Sequence, residues 1–253
     1  MIARSRAVIE PGGRLAALAC QPPLTLRQVT AADRAVCALC LVNSAAGPLA
    51  GDDLALTLEV AGGASAVLQA AGAQIAQGRG GCGASSLRLA AAIGAGGRLR
   101  ADPGALIIRP GGRADARVDL RLAADATVDW RELIVLHRSG GADGTGPAGG
   151  AAPAVTLRWD VTRAGRPLLR QLVDLTDPDG QRWPGLVAGR RVLASALLAG
   201  PGLAARTIVA TPTAVAQALD EAAVLVTVLA DDAAAAQRQR DELCACLLST
   251  ARA

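Results

Sequence analysis

The chain has 253 residues, 51% of them apolar, with a formal net charge of +4 and a pI near 9.0. That length buries a sizeable core without help from disulfides or metals, and the apolar share excludes a disordered tail protein. Lys, Phe and Tyr are absent and all 26 basic side chains are arginine, a bias of GC-rich codons that says little about function.

Taken from the start, MIARSRAVIEPGGRL lacks the apolar centre of a signal peptide, and LAALAC at 15–20 is too short to supply one. The dominant pattern after that is a period of two. In 54–60, Leu54, Leu56, Leu58 and Val60 alternate with Ala55, Thr57 and Glu59, and the segments 117–123 and 156–162 repeat the pattern. Such alternation predicts strands with one buried and one solvated face. Further strands are predicted at 36–42, 65–70, 85–93, 105–109, 128–136, 168–175, 190–198 and 223–230, divided by turn clusters such as AGGAS, GAGG, RPGGR and DPDG. The Gly-rich run 139–153 reads as a flexible loop. A short helix is expected at 213–221. Asp231 or Asp232 caps a long C-terminal helix whose apolar stripe, Ala236, Leu243 and Leu247, is interrupted by Arg240. The spacing predicts a mainly β, largely antiparallel protein with a C-terminal helix, formed as one domain over 1–253.

Recognisable chemistry is sparse. Gly78, Gly80 and Gly83 satisfy G-x-G-x-x-G with Asp102 about 20 residues on, but the flanking segments do not read as the strand and helix a dinucleotide site needs. Cys37 and Cys40 are three apart on a predicted strand and point to opposite faces, and Cys244 and Cys246 are two apart on a helix, so neither pair chelates. All six cysteines, Cys20 and Cys82 included, are expected as reduced, buried small side chains. His137 is the only histidine, too little for a metal site of its own, and Ser139 beside it has no nucleophile elbow. No tightly bound metal and no permanent cofactor is expected. Arginines are dispersed, and only Trp130, Trp159 and Trp183 could stack on bases, which argues against a nucleic-acid partner. Apolar runs at 192–199 and 222–230 fall short of a membrane span, and a cytoplasmic protein is expected.

One block carries more. The stretch 39–76, LCLVNSAAGPLAGDDLALTLEVAGGASAVLQAAGAQIA, resembles the UreD (UreH) family of urease accessory proteins. Gly47, Gly51 and Asp52 match the family's glycine-rich turn and Gly63-Ala64 the next one. Trp130, Leu136 and Arg138 match the strand that ends in Leu-Gly-Arg, where His137 stands in place of the glycine. Ala46 and Ala50 likewise replace glycines of the turn, and GAQIAQG lacks the family's Thr-Lys-Val-Tyr character.

The resemblance implies stacked sheets in a helicoid-like arrangement and a maturation factor rather than an enzyme. It implies apo-urease subunits, a UreF-type adaptor and a UreG-type GTPase as partners, with Ni²⁺ in transit through a polar passage. A conduit of that kind should hold a divalent ion weakly, through dispersed carboxylates, carbonyls and water. Asp52 is the expected residue lining or ordering the passage, with Glu132 second. Two other readings stay open: a β-rich interaction module unrelated to nickel, and a nucleotide-binding enzyme using Gly78–Gly83.

Overall fold

The computed structural model describes residues 1–45, 47–78, 83–137 and 151–249. Its elements run β1 (Ile2–Glu10), β2 (Arg14–Ala19), β3 (Leu24–Val29), β4 (Val36–Asn43), β5 (Asp53–Val60), β6 (Ser65–Ala70), β7 (Gln74–Ala76), β8 (Ser85–Ile93), β9 (Arg98–Asp102) and β10 (Ala105–Ile108). They continue with β11 (Arg113–Leu122), β12 (Thr127–Leu136), β13 (Ala154–Arg163), β14 (Arg166–Leu175), α1 (Pro178–Arg182), β15 (Val192–Ala199), β16 (Ile208–Thr211), β17 (Ala214–Asp220), β18 (Ala223–Ala230) and α2 (Ala233–Ser249). The protein is mainly β with a C-terminal helix, as the alternation predicts.

One sheet has the order β14-β13-β11-β8-β5-β1-β2 and the other β16-β17-β18-β15-β12-β9-β6-β4-β3, with β10 and β7 added beside β12. From β4 to β13 the chain crosses between the sheets at nearly every turn, and from β6 on, the short β7 and β10 apart, each new strand pairs with the preceding long strand of its own sheet. The sheets stack over one apolar cluster that takes Leu54, Leu56 and Leu58 of β5, Val118 and Leu120 of β11 and Trp159 of β13 from one side. Leu39 of β4, Leu68 of β6 and Trp130 of β12 come from the other.

This winding corrects the expected antiparallel pairing. In the first sheet every ladder between β1 and β13 is parallel, and antiparallel pairing is left to the end hairpins β1–β2 and β13–β14. In the second, β4, β6, β9 and β12 are also mutually parallel. Parallel neighbours need a crossover, for which the sequence offers no helices. Here each sheet's strands serve as the crossovers of the other, and a period of two carries no information about the direction of the partner.

Two expectations of local structure also change. Residues 213–221 form β17 and not a helix, because Ala214 and Ala216 turn inward against β18 and tertiary pairing overrides alanine's helix preference. The N-terminal strands escaped the pattern because β1 buries Ala3, Ser5 and Ala7, side chains too small to register as an apolar stripe. The long helix is confirmed as α2. The Asp232 carboxylate accepts the Ala235 N–H at 2.7 Å as its cap. Its buried residues, Ala236, Leu243, Cys244 and Leu247, pack on the outer face of β15, β17 and β18 as a second apolar cluster. That cover explains why β15 is buried on both faces along its whole length. Most of the loop expected at 139–153 lies outside the described residues.

Candidate functional site

The β12 strand carries the site. Val128, Trp130, Ile134 and Leu136 face the space between the sheets, and Glu132 has the same parity, so its carboxyl projects inward among apolar side chains. Opposite it, Trp159 of β13 donates its indole Nε1–H to Glu132 Oε2 at 2.9 Å. Burial pushes the Glu132 carboxyl up to about 7, and the Trp159 hydrogen bond opposes this only in part. Glu132 is not fully buried and lines two cavities.

The larger cavity, 140 Å³, lies between β12, β13, β14, β15 and β18. Glu132 pairs with Ser195 across β12–β15, and Ser195 with Thr227 across β15–β18, so the three make one polar row on the inner face. Gln171 of β14 and Trp159 complete its polar lining, and the volume is large enough for several waters. The smaller cavity, 20 Å³, has room for about one water and runs past Glu132 to Gln74, Pro103, Gly104 and Leu106.

The outer face of the same strand is handled differently. Asp129 takes both arms of the Arg131 guanidinium at 2.9 Å, and Arg131 also reaches Asp241 of α2 at 2.8 Å. Arg240, the interruption in the stripe of α2, is fully buried. It pairs with Asp102 at 3.3 Å and Asp241 at 2.9 Å, and donates to the backbone oxygen of Glu132 at 3.3 Å. The side chain that broke the apolar pattern is therefore the pin of the helix. Beside it, burial and the Asp129 charge push the Cys244 thiol up to about 12, which leaves no thiolate there.

Asp52 sits elsewhere. Its carboxylate accepts the Leu49 N–H at 2.9 Å and the amino group of Met1 at 2.7 Å, closing the turn between β4 and β5. Gly51 in that turn has φ +82°, which favours glycine, and Gly47 belongs to the same turn. Asp52 lines neither cavity beside Glu132. Of the other matched positions, Trp130 and Leu136 are buried core residues, and Arg138 lies outside the described residues.

Gly78 and Gly83 follow a three-residue strand and lead into strand β8, not into a helix, and a Cβ on Gly78 would stand 2.3 Å from the Gly111 oxygen. Backbone packing accounts for that glycine, and the nucleotide fingerprint loses its structural setting; Gly80 lies outside the described residues. Cys37 and Cys244 are buried as expected, Cys20 and Cys40 only partly. Cys246 is exposed, because its place on α2 turns it away from the sheet, a correction to the expected burial; Cys82 is not among the described residues. His137 is exposed at the end of β12. Among the described residues, no three His, Cys, Asp or Glu side chains gather as a metal cluster, and no helix is long and apolar enough to cross a membrane.

Gln74, Gln171, Ser195 and Thr227 were not singled out from the sequence, since polar residues on strands read as solvated. The signal available was parity: Glu132 interrupts the apolar face that Trp130 and Ile134 define.

Comparison with known proteins adds a consistent result. The family model described as UreD urease accessory protein matches residues 4–252. A urease accessory protein UreD of Parafrankia sp. (strain EAN1pec) is 34% identical over 93% of this chain and 84% of its own length. UreD 3 of Streptomyces griseus subsp. griseus is 33% identical over 99% of this chain and 98% of its own, and UreD of Frankia alni is 38% identical over 79% and 70%.

Proposed function

The chain belongs to the UreD family of urease accessory proteins, and on that premise we propose that it is a non-catalytic scaffold that assists nickel delivery to apo-urease. In this reading it binds the urease subunits together with a UreF-type adaptor and a UreG-type GTPase, and Ni²⁺ passes between its sheets as cargo. The observation that carries the reading is the placement of Glu132: one carboxylate on an apolar inner face, between two cavities that share it as a wall.

A carboxylate with a pKa near 7 suits transit, because it can release a proton as a cation arrives and regain it as the cation leaves. The neighbouring donors, Ser195, Thr227 and Gln171, are neutral oxygens that replace part of a hydration shell without trapping the ion. Asp52 contributes by ordering the turn and the N-terminus rather than by lining this path.

The test is nickel per urease active site after co-expressing the urease subunits and accessory proteins with this chain, without it, or with Glu132→Gln. We expect assembled but nickel-poor urease when the chain is omitted, and a several-fold loss with Glu132→Gln. Asp52→Ala should lower loading less than Glu132→Gln. Equal nickel with and without the chain overturns the reading. The interaction-module alternative predicts an unchanged nickel content in every case.

A further inference from the structure

We propose that the outer face of β3, β4, β6 and β9 is a docking surface for an amphipathic helix of another protein, one that carries carboxylates on both sides of its apolar stripe. This surface lies on the opposite side of the second sheet from the Glu132 carboxyl and is independent of the passage reading.

The outer face of the second sheet is covered over part of its width. There α2 packs on β15, β17 and β18, and the Arg240–Asp102 pair marks its border at β9. Beyond that border β4 turns Val36, Ala38, Cys40 and Val42 outward, all partly exposed, and Val29 of β3 and Val67 of β6 flank Ala38 in one row. These six side chains belong to neither apolar cluster of the interior. The outer face of the first sheet is built differently: Arg117 bridges Asp119 at 2.8 Å and Asp160 at 3.3 Å, with Arg88 and Arg158 beside them. A strand face that meets only water carries polar side chains of that kind, whereas a contiguous apolar strip with a polar rim marks a surface that another body covers.

Charge selects the occupant. Arg27 of β3 stands beside Cys40 on one flank of the strip, and Arg98 and Arg100 of β9 stand on the other, beyond β6. Arg34 closes one end, where it lines an open groove of 460 Å³ with Val29 and Val36. Among the described residues, Arg27, Arg34 and Arg98 have no carboxylate partner, and Arg100 reaches Asp129 at 3.6 Å. The carboxylates on this face, Asp102 and Asp129, are held by Arg240 and Arg131. Both flanks therefore carry surplus positive charge. A second copy of the face would set guanidinium against guanidinium, and acidic flanks complement it. The dimensions suit a helix. From Val36 to Val42 the strip runs about 20 Å, and β3 to β9 spans roughly 14 Å. A helix about 10–12 Å across covers that length in about 13 residues, with its apolar stripe on β4 and its flanks over Arg27 and Arg98. The packing of α2 shows that this sheet accepts a helix on its outer face.

The experiment titrates the full chain into two labelled synthetic helical peptides of about four turns, read by fluorescence anisotropy. One has a leucine stripe flanked by glutamates, and the other has lysines in place of the glutamates. We expect saturable binding of the glutamate peptide that weakens as salt rises, and binding of the lysine peptide at least about tenfold weaker. Arg27→Glu combined with Arg98→Glu should reverse that preference. Val67→Asp, which alters an outward side chain, should abolish binding of both peptides with thermal melting unchanged; if it lowers the melting temperature, the charge-reversed chain decides alone. Equal binding of the two peptides, no saturable binding, or an unreversed preference overturns the proposal. Sedimentation of the chain alone and flotation with anionic phospholipid vesicles test the other occupants. A dimer that the two charge reversals alter, or vesicle binding that they remove, in place of the peptide preference, gives the face to a second copy or to a lipid surface and overturns the acidic helix.

Discussion

Asp129 and Glu132 stand three residues apart on one strand, on opposite faces, and the protein treats their carboxylates in opposite ways. Asp129, on the outer face, is clamped by the Arg131 guanidinium beneath α2, and Arg240 and Asp241 extend the network. Glu132, on the inner face, accepts one indole N–H among the described residues and lines two small cavities. A buried charge is tolerable only when paired or hydrogen-bonded. The outer carboxylate is balanced and holds structure together, whereas the inner one is under-balanced and so available to a ligand. The Arg240 hydrogen bond to the Glu132 backbone oxygen links the two: the outer network holds the strand from which the inner carboxylate projects.

The sharpest way to break this contrast is to remove the balance on the outer face. Arg240→Ala strips Asp102 and Asp241 of a fully buried partner, and we expect a loss of about 4 kcal/mol, read by denaturant unfolding. A change below about 1 kcal/mol would mean that the network is solvated and that the two faces do not differ in kind.

Removing the inner charge should do the reverse. Between the ordinary glutamate value of 4.5 and about 7, the unfolded chain has released the Glu132 proton while the folded chain retains it. The folded state then binds more protons, so this group's contribution to stability falls as pH rises through that window and is fully lost above it. Glu132→Gln keeps an acceptor for Trp159 and cannot ionise. It should therefore be more stable than the unsubstituted chain by about 3 kcal/mol at pH 8, with the difference vanishing near pH 4. A destabilised variant at pH 8 would show that the carboxylate is satisfied in the folded state. Gained stability together with lost nickel loading would mark Glu132 as kept for function at a cost in stability.

The smallest effect belongs to the solvated face of the first sheet. There Arg6 of β1 pairs with Glu59 of β5 at 2.7 Å, both side chains exposed. Arg6→Ala should leave the melting temperature and nickel loading unchanged within error, because exposed pairs are screened and cost side-chain entropy to form.

Much of the fold was legible. The alternation of β5, β11 and β13 and the capped helix α2 read directly, since large apolar residues or strong helix formers mark them. β1 and β17 were hidden by alanine and serine, which bury as well as leucine does in a close-packed interior but carry little periodic signal. At the candidate site Glu132 is legible only as the second candidate that the resemblance implies. Asp52, the stronger candidate in the sequence, proved to be committed to Leu49 and Met1. Gln74 and Ser195 were invisible because nothing near them in the chain distinguishes a polar residue facing water from one facing a cavity.

What the amino-acid sequence determined by itself is most of what is local: the strands whose buried face is marked by large apolar residues, the turns between them, the terminal helix and its cap, and the motif block shared with the UreD family. Those properties depend on residues a few positions apart, and periodicity records them. The tertiary structure alone decided that the central strands run parallel, that Arg240 is an anchor and not a defect, and that Glu132 lies between two cavities. Each of those depends on which distant segments meet. Trp159, 27 residues on, donates to the Glu132 carboxylate, and Arg240, 108 residues on, donates to its backbone oxygen. The environment of a charge is set by neighbours in space, and a one-dimensional pattern does not contain them.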